Sequence, residues 1–101
     1  MLYAYFIDGT GKEDSRLYYS RERFYKDTFS PDTQIKAVID FHIHGKTYAE
    51  RKESLRNVAV DFSCNHAPGL SYGELAAIEE FFAVNGRRYG LLEEFRENAI
   101  C

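Results

Sequence analysis

A chain of 101 residues is enough for one hydrophobic core and short for two, so a single domain over 1–101 is expected. With 45% hydrophobic and 29% charged residues it is too apolar for a disordered tail. The formal net charge of −3 excludes a general DNA-coating or membrane-surface role, since both need a basic excess.

No run approaches the roughly 20 apolar residues of a membrane span. Met1 is followed by six apolar residues before Asp8, without a basic leader. The expected setting is therefore cytoplasmic, with no membrane partner. Two cysteines, Cys64 and Cys101, are fewer than a secreted scaffold of this size carries.

Leu2 to Ile7 is apolar throughout, which predicts a strand covered on both faces. Asp8-Gly9-Thr10-Gly11 is turn chemistry. Arg16 to Tyr19 predicts a second strand, hairpinned to the first. Ser20 caps a short helix expected to run through Phe29, with Phe24, Tyr25 and Phe29 on one side and Pro31 beyond. Ile35 to Ile43 alternates, so Ile35, Ala37, Ile39, Phe41 and Ile43 should share a core face and Lys36, Asp40 and His42 a polar one, with Val38 the exception.

Thr47-x-x-Glu50 and Ser71-x-x-Glu74 are capping boxes, each opening a helix. The first helix should bury Tyr48, Leu55, Val58, Ala59 and Phe62. The second should bury Leu75, Ile78, Phe81 and Phe82 and stop at Asn85-Gly86. Leu91 to about Ala99 predicts a last helix burying Leu92, Phe95 and Ala99. The order implies an α+β fold, a small antiparallel or mixed sheet of about three strands against three or four helices.

Aromatic residues reach 16%, as eight Tyr and eight Phe with no Trp. Every buried phenol needs a hydrogen-bond partner, so some tyrosines should lie at the surface, where they favour protein contacts. Residues 16–26 interleave four bases with four aromatics. Tyr18, Tyr19, Arg21, Arg23 and Tyr25 are thus candidates for partner binding, or for stacking on single-stranded RNA or DNA. The plainer reading is an amphipathic element with core aromatics. In the turn from Gly86 to Gly90, Arg87, Arg88 and Tyr89 are further candidates for a protein partner or a phosphate.

The last third holds the charge imbalance. Glu79, Glu80, Glu93, Glu94 and Glu97 form a candidate acidic face, or simply a solvated helix surface. Asp40, His42 and His44 would project from one strand face about 7 Å apart. That spacing suits a transition metal in a small binding module or hydrolase, with Cys64 and His66 as distant additions. A solvated strand face with incidental histidines is the alternative. Asp8 to Lys12 lacks a phosphate-loop frame, and Cys64 has no orienting base, so no catalytic residue and no cofactor are expected.

The segment from Gly45 through Lys-Thr-Tyr-Ala-Glu-Arg-Lys, followed by Leu70-Ser-Tyr-Gly-Glu-Leu-Ala and the tail from Gly86 to Cys101, resembles small uncharacterised proteins of phages and conjugative elements of Gram-positive bacteria. The resemblance covers roughly the last 55 residues and carries no catalytic motif. It implies a mobile-element context and a host bacterial cytoplasm. Many small proteins of that kind are anti-defence inhibitors, including the anti-CRISPR type, which act by stoichiometric binding. The expected function is accordingly a non-enzymatic inhibitor that occupies a protein partner, such as an RNA-guided nuclease ribonucleoprotein.

Overall fold

A computed structural model describes residues 1–27, 29–65 and 69–98. In chain order it contains β1 (Leu2–Ile7), β2 (Glu13–Tyr18), α1 (Arg21–Lys26), β3 (Gln34–Asp40), α2 (Tyr48–Cys64), α3 (Tyr72–Arg88) and α4 (Leu92–Glu97). The strands form one antiparallel sheet in the order β2-β1-β3. This is the α+β arrangement expected from the sequence. No described helix is long and apolar enough to cross a membrane.

β1 is central, which explains its unbroken apolar run. Tyr3 points to one face, where it joins Leu17, Ile39 and the apolar stripes of α2, α3 and α4. Leu2 and Ala4 point to the other, where Tyr18, Phe24 and Phe29 cover them. The sheet is therefore a middle layer, with α1 and its following loop on one side and the three later helices on the other.

Both capping boxes are formed. Thr47 Oγ1 accepts from Glu50 N–H at 3.1 Å, and Ser71 Oγ accepts from Glu74 N–H at 3.2 Å, while each glutamate returns the bond to its cap backbone. Leu55, Val58, Ala59 and Phe62 are buried as the helical period requires. Tyr48 is not: it is 57% exposed and leans on Tyr89.

Several expected boundaries move, each for a local reason. β2 starts at Glu13, because the tight Asp8–Lys12 turn lets pairing with β1 begin at once. α1 ends at Lys26, where Asp27 caps it in an extended conformation. β3 ends at Asp40 instead of Ile43, because His42 N–H turns back to the Asp40 carbonyl at 2.8 Å. A bulge opposite Tyr5 and Phe6 pairs Tyr5 with Ala37 but Phe6 with Ile35. The extra residue, Lys36, inverts the face of Ile35. Ile35 thus sits with Val38 on the α1 side and is 44% exposed, not in the core.

Asn85-Gly86 does not stop α3. Gly86 lies within the helix, and a Cβ there would approach Phe95 Cδ2 to 2.9 Å, so glycine serves helix–helix contact. The stop comes at Gly90, with φ of 70°, and Leu91 N–H reaching back to Gly86 C=O at 2.7 Å. Leu91 and Phe95 are buried and Leu92 is half-buried. Ala99 lies outside the described residues. Gly86→Val should force α3 from α4 and destabilise the fold by about 2–3 kcal/mol or more, as overpacking does. Chemical denaturation would register this as a lower midpoint; an unchanged midpoint would mean the two helices do not meet there.

Candidate functional site

The basic and aromatic segment 16–26 divides between core and surface. Tyr18 is buried, and its hydroxyl donates to the Asp27 carboxylate. Burial, then that carboxylate, push the Tyr18 phenol up to about 12. Arg16 pairs with the same Asp27 at 2.8 Å and lies over the rings of Phe6 and Phe29. Arg21 pairs with Asp40, tying α1 to the end of β3. Tyr18 is thus not the surface anchor expected of it, because the α1 turn closes over it. Tyr19, Tyr25 and Arg23 remain exposed, Tyr25 at 74%. With two arginines paired and two aromatics tucked against the sheet, this segment has less to offer a nucleic acid than its sequence suggested.

Tyr25 lies one helical turn from Arg21, and Arg21 reaches Asp40. Val38, 46% exposed, is on the same sheet face as Asp40, and Ile35 follows it. Ile35 and Val38 are therefore exposed apolar side chains on the sheet face that α1 covers in part, and Tyr25 is exposed on α1 itself. The strand beneath them is a sheet edge. Phe41 N–H bonds Met1 C=O at 3.0 Å, so by alternation Val38 directs its N–H and C=O outward. No partner for them occurs among the described residues. On the opposite edge the Leu17 N–H is engaged, donating to Glu74 Oε2 at 3.0 Å.

Asp40, His42 and His44 do not form a joint donor set. The Asp40 carboxylate is held by Arg21, although burial still alternates past the strand end, with Phe41 and Ile43 inward and His42 and His44 outward. His42 and His44 are exposed and pack edge to face, with centroids 4.5 Å apart. With Asp40 they border one open groove of about 660 Å³ between the end of β3 and α2, where Glu53, Asn57 and Asp61 also lie. Among the described residues no three His, Cys, Asp or Glu side chains converge as a metal-ligating group. The Cys64 thiol is exposed; His66 and Cys101 lie outside the described residues.

Glu79, Glu80, Glu93 and Glu97 are exposed on α3 and α4. Glu94 is engaged instead, accepting from Arg56 Nε at 3.1 Å and so joining α4 to α2.

Arg87 and Arg88 are exposed at the end of α3, while Tyr89 is 5% exposed. Tyr89 therefore does not serve as an exposed anchor, because its ring closes the α3–α4 corner. Its hydroxyl accepts from Arg51 Nε at 2.7 Å, and Tyr48 packs on its ring at 5.6 Å. The Arg51 guanidinium, with Arg88 adding to it, holds the Tyr89 phenol below its ordinary range. Sequence reasoning missed this junction, since residues 38 apart in the chain meet without any local motif announcing it. No protein-family model, curated protein or solved structure matches the chain.

Proposed function

We propose that this protein is a non-enzymatic, protein-binding inhibitor from a phage or mobile element, acting stoichiometrically on a host nucleic-acid-targeting defence complex. The observation supporting a binding role is the exposed pair Ile35 and Val38 on a sheet edge left open at Val38, with Tyr25 and Arg21 on the helix over the same sheet face. Tyrosine and arginine around apolar side chains are the composition of interface centres. An open edge lets a partner add main-chain hydrogen bonds to those contacts. The choice of an RNA-guided nuclease as partner rests on the resemblance of the C-terminal half to small mobile-element proteins.

Titration of purified nuclease ribonucleoproteins with this protein should give co-elution after nuclease treatment and loss of target cleavage near equimolar ratio. Tyr25→Ala combined with Val38→Asp should weaken binding by at least about tenfold, since truncating an interface tyrosine commonly costs that much. Intact cleavage and separate elution for every complex tried would refute the inhibitor reading.

A further inference from the structure

The junction of α2 with the end of α3 gathers positive charge that the fold does not neutralise. Arg51 is half-buried, and its guanidinium is fixed at two points. Nε donates to the Tyr89 hydroxyl at 2.7 Å, and Nη1 to the Gly45 carbonyl at 3.5 Å. The group also lies 5.8 Å from the Tyr89 ring centroid. These contacts orient it, yet none carries a formal negative charge, and its remaining N–H donors have no partner among the described residues. A cation drawn partly out of water without a counter-charge is costly, which distinguishes Arg51 from Arg16, Arg21 and Arg56, all of which meet carboxylates.

Lys52 and Arg88 adjoin it. The Lys52 ammonium and the Tyr48 hydroxyl flank Gly90, where a Cβ would meet them at 3.9 and 3.4 Å. Arg88 is exposed at the last position of α3, directly before Tyr89. Neither base has a carboxylate partner among the described residues. The Tyr48 ring is supported from behind by Tyr89, at 5.6 Å and 44°, and is still 57% exposed. A supported aromatic surface next to oriented, unneutralised donors is the combination that holds a base and its phosphate together. An acidic peptide would use the cations but leave the ring idle.

We propose that this junction is a nucleotide-phosphate binding site, in which Arg51, Lys52 and Arg88 take the phosphate and Tyr48 stacks on the base. The ligand comes either as a free nucleotide or as part of a single strand. The site lies on the far side of the sheet from α1 and stands independently of the protein-binding surface there.

Fluorescence anisotropy with a short labelled single-stranded RNA, and calorimetry with AMP and with inorganic phosphate, would test it in about 50 mM salt. RNA binding should weaken steeply as salt rises, as phosphate contacts require. Lys52→Glu with Arg88→Glu should reduce it by at least about tenfold, and Tyr48→Ala by about five- to tenfold, consistent with one lost stack. Arg23→Glu with Lys26→Glu on α1 makes the same change in net charge and should leave binding within about twofold. Circular dichroism checks that each variant is folded. Competition by AMP identifies the free nucleotide as sufficient, and binding of RNA alone identifies the strand; either supports the site. It is overturned if neither RNA nor AMP binds, if the α1 pair weakens binding as much as the junction pair, if Tyr48→Ala changes nothing, or if polyglutamate competes as well as RNA.

Discussion

Replacing Phe82 by alanine is expected to cost about 3–5 kcal/mol, as removal of a buried phenylalanine does. Phe82 is fully buried, and its ring meets Phe41 at 5.8 Å, Phe62 at 5.9 Å, Phe81 at 5.3 Å and Phe95 at 5.6 Å. Those partners come from the segment after β3, from α2, from α3 itself and from α4, so one side chain joins three helices to the chain leaving the sheet. Small domains have about 5–15 kcal/mol of total stability, so the variant would retain little margin. Thermal unfolding should show a midpoint lowered by roughly 12 °C or more, from about 4–8 °C per kcal/mol at this size. Phe81 is half-buried and touches fewer rings, so Phe81→Ala should lose about half as much. Equal losses at the two positions would mean that Phe82 is not the hub of the packing.

That hub is legible in part from the sequence. The helical period around Ile78 and Phe82, and around Leu55, Val58 and Phe62, marks inward faces because local geometry alone sets which side chains share a stripe. Both capping boxes were readable because their partners lie three residues apart. Bulges were not: Val38 breaks the alternation near Lys36, but only the pairing with β1 reveals the extra residue. Gly86 and Gly90 show the same limit. Both suit a helix stop, and the choice between them depends on Phe95, which packs against the first. The candidate surfaces were less legible still. Tyr18 and Tyr89 look like Tyr19 and Tyr25 in sequence, and what buries the first pair is the supply of partners across the fold, Asp27 for one and Arg51 for the other.

Glu74→Ala should destabilise the protein by roughly 2–4 kcal/mol, more than a helix cap alone is worth. In the capping box Oε1 accepts from Ser71 N–H at 3.0 Å, a contribution of about 1 kcal/mol. Oε2 accepts from Leu17 N–H at 3.0 Å, closing the outer edge of β2, and hydrogen bonds to a charged group are worth about 1.5–3 kcal/mol. The substitution therefore loosens the α3 start and exposes a sheet edge together. Acid should reproduce part of the effect. Desolvation raises the Glu74 carboxyl, but the Ser71 and Leu17 N–H groups outweigh it and leave its folded value below the ordinary one. A carboxyl depressed on folding stabilises fully above its unfolded value, near 4.3, and loses that contribution as pH falls through the folded one. Urea midpoints at neutral pH and near pH 3 should then show the gap between the native protein and Glu74→Ala narrowing in acid. A gap of constant size would mean that the ionised carboxylate does not hold helix and sheet together, and that the loss comes from packing of the side-chain stem.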